Sequence, residues 1–410
     1  MRRLLMVAYY FPPLGGIGSL RALKFATYLP EHGWDVTVLA PRSGSYYRDP
    51  TLSFPEDRVI RTGSLELSRA GKRVLAPGTT DTRAAAVGPL RRRIRDAVRR
   101  WVYRPDGQIG WYPFAVSAGR AALRDLKYDA IFSSSFPITA HLVGRRLHRD
   151  SGRPWIAEFR DPWSDVAADG DPRRTQDAAL ERALVSEATG VVTVSAAWAD
   201  LLRGKGARSV SVVTNGYDPA DFAAPRPTDG TVVTYLGSYY PDRQDLSAVW
   251  PALRRIRDSR PDHRFRLRFV GNLSPALRSE IAAHGLELSL EVTGFLPYRE
   301  ALARMADSSV LIGAGARDER PVLKGLIPAK LFDYLGSGLP VIYVGDAGSD
   351  AAVLLARQRG VHVVRPGDAA GAERAVSEAL ATPRAERDLE EFTRRALAAR
   401  LAGVLDAACR

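Results

Sequence analysis

Lys330 and Asp333 stand three residues apart in Gly325-Leu326-Ile327-Pro328-Ala329-Lys330-Leu331-Phe332-Asp333-Tyr334-Leu335. The pattern predicts a loop and then a helix with Pro328 near its first turn. Three-residue spacing puts both charged side chains on one helix face. Such a helix start favours a diphosphate, and Lys330 adds a cation to it. A carboxylate at 333 can accept hydrogen bonds from both hydroxyls of a ribose. Two other segments extend the same chemistry. In Tyr235-Leu236-Gly237-Ser238-Tyr239-Tyr240-Pro241-Asp242-Arg243, Gly237 permits a close approach to phosphate and Arg243 can reach it. In Val292-Thr293-Gly294-Phe295-Leu296-Pro297, Phe295 and Leu296 offer backbone groups to a nucleobase. Ile327 and Pro328, just ahead of the helix, complete the candidate donor-binding set.

The first half carries its own candidates. Phe11-Pro12-Pro13-Leu14-Gly15-Gly16-Ile17-Gly18-Ser19 is a glycine loop ahead of a helix, so Gly15 and Gly16 form a candidate phosphate or acceptor loop. A dinucleotide fingerprint fits it poorly. Gly16-Ile17-Gly18-Ser19-Leu20-Arg21 lacks the third glycine, and Ala40-Pro41-Arg42 offers no acid for a ribose. The apolar run Trp155-Ile156-Ala157-Glu158-Phe159 stops abruptly at Arg160-Asp161-Pro162-Trp163. A strand's carboxyl end faces the ligand crevice of a doubly wound sheet, which makes Arg160 and Asp161 catalytic candidates. Otherwise they are an ion pair at a turn. A further strand end is Phe132-Ser133-Ser134-Ser135-Phe136-Pro137, after which His141 opens a helix. A lone histidine is more often structural than catalytic, and His141 is carried as a candidate on its position alone.

The elements that must hold these residues alternate. Apolar strand-like runs at Leu4–Tyr10, Asp35–Ala40, Ala130–Ser133, Trp155–Phe159 and Gly190–Ser195 are interleaved with helical periods such as Ser19–Glu31. This βαβα rhythm predicts a parallel sheet with helices on both faces. After the turn-rich Asn215-Gly216-Tyr217-Asp218-Pro219 it restarts, with runs at Val232–Gly237, Phe265–Gly271, Leu288–Gly294, Val310–Ala314 and Pro340–Val344. The expected organisation is a first α/β domain over 1–215, a linker over 216–230, a second α/β domain over 231–385 and a helix over 386–410. An apolar stripe through Leu389, Phe392, Leu397, Leu401 and Leu405 reads as one long helix from Pro383 to Arg410.

Charge is unevenly placed. Residues 1–150 hold 25 basic and 12 acidic side chains, which accounts for the whole net charge of +13. Such asymmetry points to an anionic partner for the first third alone. Within it, 90–104 reads as an amphipathic helix with Leu90, Ile94, Val98 and Trp101 on one face and arginines on the rest. That composition suits an anionic membrane surface. It lacks aromatic platforms at regular spacing, which argues against nucleic acid. The single cysteine, Cys409, excludes a disulfide framework or a cysteine-based metal cluster. No apolar stretch reaches the roughly 18 residues of a membrane span. The opening Met1-Arg2-Arg3-Leu4-Leu5-Met6-Val7-Ala8 reads as a buried strand rather than a signal peptide, so a cytoplasmic protein is expected.

Taken together, Gly15-Gly16, Phe159-Arg160-Asp161-Pro162-Trp163, Asn215-Gly216-Tyr217-Asp218, Lys330-Leu331-Phe332-Asp333-Tyr334-Leu335 and Gly338-Leu339-Pro340-Val341-Ile342 resemble the GT-B glycosyltransferases, specifically the retaining family 4. The resemblance spans nearly the whole chain. It implies an α/β fold of two Rossmann-like doubly wound domains facing across a cleft, with a final helix crossing back to the first domain. The second domain would hold a nucleotide-diphosphate sugar, UDP-linked by preference, and the first an acceptor. Asp333 would bind the donor ribose, Arg243 and Lys330 its diphosphate, and Phe295 and Leu296 would frame the base. Gly15 and Gly16 would lie beside the transferred sugar or the acceptor. No metal or other cofactor is implied, since basic side chains and a helix dipole would stabilise the leaving diphosphate.

The chain departs from the family pattern in three places. Gly325 stands where the first of two spaced acids is usual, and Asp318 or Glu319 in the same loop would have to substitute; Glu319 joins the catalytic candidates on that account. Ser238 stands where a basic residue is usual, and Ser133-Ser134-Ser135 where a histidine is frequent. The leading expectation is a hexosyltransferase acting with retention on a hydroxyl acceptor in cell-surface polysaccharide or glycolipid synthesis. Its partners would be a nucleotide sugar, a lipid-linked acceptor and an anionic membrane, with the protein peripheral on the inner face. Alternatives are a soluble natural-product acceptor, a same-fold nucleotide-sugar epimerase and a non-catalytic partner subunit.

Overall fold

A computed structural model of the chain describes residues 1–42, 47–65, 104–166, 173–226, 228–259, 264–317 and 320–410. The arginine-rich stretch 90–104, apart from Arg104, lies outside the described residues, as do Asp318 and Glu319. The chain divides into two compact units, Met1–Thr214 with Arg394–Arg410, and Asn215–Thr393.

Among the described residues, the first unit is built on seven parallel strands: β1 (Arg2–Ala8), β2 (Trp34–Pro41), β3 (Val59–Thr62), β4 (Ala130–Ser134), β5 (Trp155–Phe159), β6 (Gly190–Thr193) and β7 (Val210–Val212). Their order is β3-β2-β1-β4-β5-β6-β7. Leu4, Leu5, Met6 and Val7 are all fully buried, because β1 is central and helices cover both faces. It pairs on one side with β2, Leu4 opposite Val36, and on the other with β4, Leu4 opposite Ala130. Strand order therefore reverses between β1 and β4. A sheet of this type opens its ligand crevice at that point, beyond the strands' carboxyl ends. The helices are α1 (Ile17–Tyr28), α2 (Tyr112–Asp125), α3 (Thr139–Ser151), α4 (Arg174–Glu187) and α5 (Ala196–Gly204).

The second unit repeats the plan with six parallel strands: β8 (Thr231–Leu236), β9 (Phe265–Val270), β10 (Leu290–Val292), β11 (Val310–Ala314), β12 (Val341–Val344) and β13 (Val361–Val364). Their order, β10-β9-β8-β11-β12-β13, reverses between β8 and β11. Its helices are α6 (Val249–Ser259), α7 (Pro275–Ala283), α8 (Tyr298–Ala303), α9 (Pro321–Lys324), α10 (Lys330–Gly336), α11 (Asp350–Ala356) and α12 (Ala369–Ala381). The fold class is thus α/β with two Rossmann-like doubly wound sheets. No helix among the described residues is long and apolar enough to cross a membrane.

Two sequence expectations are corrected. The stripe over 383–410 is not one helix. Residues 382–389 are neither helix nor strand, and α13 runs Arg394–Ala408. Pro383 stops α12, and arginine side chains then fix the segment that follows. Arg384 donates to the carbonyls of Ser337 (3.1 Å) and Ala306 (2.7 Å). Arg387 donates to those of Arg359, Leu335 and Leu339, at 2.8, 2.8 and 2.9 Å. Leu389 and Phe392 enter the core of the second unit, whereas Leu397, Leu401 and Leu405 are buried in the first. One apparent period joins two segments with different destinations.

The turn-rich 216–230 stretch is also not a free connector. Tyr217 pairs with Thr393 as a β-bridge, and Tyr217 and Phe222 pack against the second unit's core. Asp221 accepts both Nε and Nη2 of Arg299, at 3.2 and 3.0 Å. In the first unit, α13 packs on α1. Asp406 accepts from Arg2 (2.8 Å) and from the Trp34 indole (3.1 Å).

Candidate active site

At the carboxyl ends of β8 and β11 the two strands separate after only two paired positions, Val310 with Val233 and Leu311 with Thr234. The Tyr334 hydroxyl fills the gap. It accepts from the Leu236 amide (2.8 Å) and donates to the Ile312 carbonyl (3.1 Å). A buried phenol thus satisfies two backbone groups that the sheet leaves open, and it ties α10 to the switch point. Lys330 and Asp333 ride on that helix. The chain turns at Gly237, whose φ of +91° only glycine takes readily. The space where a side chain would stand on Gly237 is empty for 4 Å.

Lys330 is the first residue of α10, and Ala329 is the cap residue. A helix of seven residues contributes little dipole, so cationic character here rests on the side chain. Its ammonium lies 3.6 Å from the centroid of the Tyr235 ring. Among the described residues it has no hydrogen-bonding or ionic partner. Desolvation pushes its pKa down to about 7. Tyr235 is held in turn, its hydroxyl donating to the Ser238 carbonyl (3.1 Å).

Asp333 is buried, and one carboxylate oxygen accepts from the Tyr298 hydroxyl at 2.9 Å. Tyr298 opens α8 directly after Phe295-Leu296-Pro297. That bond brings the 295–296 segment and the 330–333 helix together. Leu296 packs against the cluster that includes Ile327 and Leu331, and the Leu331 amide donates to the Pro328 carbonyl (3.0 Å). Arg243 stands apart from this group. It is largely exposed and pairs with Asp242 at 3.5 Å. Gly325 is the buried end of α9 and carries no acid.

In the first unit, Gly15 lies against Tyr47 and donates to its carbonyl (3.0 Å). A Cβ on Gly15 would fall 2.2 Å from the Tyr47 ring. Gly16, at φ +95°, caps α1. Gly18 makes room for Arg160, whose Nη1 would be 2.8 Å from a Cβ there. The Arg160 guanidinium donates to the carbonyls of Ser135 and Phe136. Arg160 is therefore fixed to the end of β4 by backbone groups, and no ion pair with Asp161 forms. The Asp161 carboxylate accepts no hydrogen bond among the described residues. Desolvation raises its pKa, against the lowering effect of Arg160.

The loop that carries Asp161 is anchored by a residue that no local pattern singles out. Glu181, buried on α4, accepts the amides of Trp163 (2.9 Å) and Ser164 (3.1 Å) and pairs with Lys205 at 2.6 Å. A second buried pair, Arg21 with Glu158, joins α1 to β5 at 2.9 Å. Glu158 also accepts from Ser134 (2.6 Å), and Arg21 donates to the carbonyls of Val213 (2.7 Å) and Thr214.

His141 is placed inside the core, which corrects its standing as a catalytic candidate. It has no exposed surface, and its ring lies 4.3 Å from that of Phe159. Ser133 Oγ accepts from the Trp155 indole (2.8 Å), so its own proton is free for His141 Nδ1, also 2.8 Å away. Burial lowers the imidazole pKa to about 3, helped by Arg160. A neutral ring without access to solvent or ligand holds β4 and β5 together rather than moving protons.

Comparison with known proteins agrees with this geometry. Residues 15–217 match the family model described as glycosyl transferase 4-like domain, and residues 230–382 that of glycosyl transferases group 1. No curated protein matches the chain by sequence. Among solved structures, the sucrose-phosphate synthase (tll1590) of Thermosynechococcus elongatus superposes with a TM-score of 0.62 at 16% identity, over 100% of this chain and 96% of that one. Anabaena Alr3699/HepE in complex with UDP gives 0.61 at 15%, over 99% and 100%. The α,α-trehalose 6-phosphate synthase of Burkholderia multivorans gives 0.56 at 13%, over 100% and 96%. At such identities these likenesses establish the fold. The family models, one on each α/β unit, establish the class: the chain belongs to the family 4-like glycosyltransferases of the GT-B fold.

Proposed function

We propose that this glycosyltransferase moves a sugar from a nucleotide-diphosphate sugar, UDP-linked by preference, to an acceptor hydroxyl with retention of configuration. The observation that carries the proposal is the pairing on α10 of a buried carboxylate, Asp333, with an ammonium, Lys330, that has no anionic partner among the described residues. Asp333, aimed by Tyr298, takes the ribose hydroxyls. Lys330 takes the diphosphate and stabilises it as it leaves. The open space over Gly237 admits the phosphates, and the backbone at Phe295 and Leu296 meets the base. The complexes of Anabaena Alr3699/HepE with UDP and with UDP-glucose support this reading of the fold.

The acceptor falls to the first unit, at the Gly15-Gly16 loop and the Arg160-Asp161 strand end. Its basic excess favours an acceptor carried by a lipid in an anionic membrane, with the protein peripheral to that membrane, in glycolipid or surface-polysaccharide synthesis. The reading calls on no metal, because Lys330 supplies the charge that the leaving group needs.

Thermal stabilisation by a panel of nucleoside diphosphates and their sugars tests the donor half. A ligand that binds only the folded protein raises its melting temperature. One nucleotide is expected to stabilise the wild type and to leave Asp333→Ala and Lys330→Ala unmoved. Absence of any stabilisation by the whole panel would overturn the reading. The anomeric configuration of the product, read by NMR, tests retention.

A further inference from the structure

We propose that the groove between α2 and α3 of the first unit is a binding site for a phosphate ester that carries an apolar group. The groove has a volume of about 460 Å³. Residues 112, 116, 120 and 124 recur every four positions along one face of α2, so an aromatic and aliphatic first half (Tyr112, Val116) runs into a cationic second half (Arg120, Arg124). Arg146 joins them from α3.

The arrangement of the arginines points to an anion. Asp150 accepts the Nε of both Arg120 (2.7 Å) and Arg146 (3.0 Å) through a single oxygen, Oδ2. These bonds, with Arg120 contributing most, hold the Asp150 carboxyl below its usual range. It therefore stays ionised and fixes both guanidinium planes by their inner edge. The terminal amino groups of Arg120 and Arg146 are left without partners among the described residues, and Arg124 has no partner there at all. One carboxylate faces three guanidinium groups, so the groove keeps two positive charges. Arg145 and Arg149, on the same helix α3, are instead both engaged by Glu187. Forked donors held in place by their Nε suit the oxygens of a phosphate. The Tyr112 and Val116 half suits the apolar remainder.

The test titrates the full chain calorimetrically with dihexanoyl phosphatidic acid below its micellar concentration, with dihexanoyl phosphatidylcholine and with inorganic phosphate. Phosphatidic acid is expected to bind roughly tenfold or more tightly than inorganic phosphate, and phosphatidylcholine, neutral overall, not to bind. Arg124→Ser with Arg146→Ser is expected to weaken phosphatidic acid roughly tenfold or more, the scale of a lost charge-assisted bond. Asp150 keeps Arg120 in that variant. Should the double variant fail to fold, Arg124→Ser alone removes a side chain with no partner and is read in its place. Equal binding by wild type and a folded variant would overturn the site. Inorganic phosphate binding as tightly as phosphatidic acid would overturn the apolar half and assign the groove to a soluble phosphate. No probe involves a nucleotide, so the result is independent of the donor-site reading.

Discussion

The Lys330 ammonium rests over the Tyr235 ring, 3.6 Å from its centroid, and Tyr235 lies one residue before the end of β8. A cation on an aromatic face keeps much of its charge available, because the ring offers no anion to neutralise it. The contact stores a cation over the side chain two positions before Gly237.

That stored cation titrates. With its pKa lowered to about 7, Lys330 binds fewer protons in the folded than in the unfolded chain between pH 7 and its unfolded value near 10.5. Stability should therefore rise with pH across that window, and Lys330→Met should flatten the rise. A bound diphosphate favours the ammonium. Donor binding at pH 7.5 is expected to take up a fraction of a proton, which calorimetry in two buffers of different ionisation enthalpy measures. Binding without proton uptake would remove Lys330 from the diphosphate.

Asp333 and Tyr298 make a graded pair. Asp333→Ala should weaken a nucleoside diphosphate by about 2–3 kcal/mol, through the loss of charge-assisted bonds to the ribose. Tyr298→Phe leaves the carboxylate in place without its aim, and about 1 kcal/mol is expected. A 2′,3′-dideoxynucleotide should bind wild type and Asp333→Ala alike. If Asp333→Ala still distinguishes ribose from dideoxyribose, the carboxylate does not hold the sugar.

Gly18→Ala probes the first unit. The added Cβ meets the Arg160 guanidinium, the movable end of a side chain. The fold should survive while Arg160 shifts from the Ser135 and Phe136 carbonyls. Steady-state kinetics should show a higher KM for acceptor and an unchanged KM for donor. A change in the donor term alone would place Arg160 outside the acceptor side.

His141 and Glu181 govern stability. His141 is neutral when folded, with a pKa of about 3, and protonates in the unfolded chain near 6.5. Unfolding therefore takes up a proton between these values, and stability falls as pH drops from 6.5 towards 3. His141→Gln should reduce that acid sensitivity in urea titrations at pH 6.5 and 4.5. Glu181→Gln leaves Lys205 paired with Asp165 alone and removes the charge from the acceptor of the Trp163 and Ser164 amides, at a cost of about 1–3 kcal/mol. Adding Asp165→Asn, which leaves Lys205 without a carboxylate, should cost more, as the same urea titrations at pH 6.5 would show.

Legibility in the sequence followed distance along the chain. Fully apolar runs such as Leu4–Val7 and Val341–Val344 announce buried parallel strands. Their alternation with helical periods was enough for the fold class. Strand-end glycines and the 330–333 spacing were visible because they are local patterns. The bonds that aim those residues were not. Tyr298 reaches Asp333 across 35 residues and Arg21 reaches Glu158 across 137, and such pairs leave no period. Tyr334 looks like one more apolar helix position until the sheet opens beside it. The C-terminal stripe misled because a helical count registers apolar residues without saying which core receives them.

The first unit is written in two pieces, with all of Asn215–Thr393 between them. Synthesis on a ribosome runs in one direction, so α13 emerges only after all of Asn215–Thr393. Until it does, the α1 surface that it covers, the Trp34 indole and Arg2 wait without their partner Asp406. The unit begun first is thus completed only after the second has been made, and a stop just after Thr393 strips a helix from the unit that was begun first.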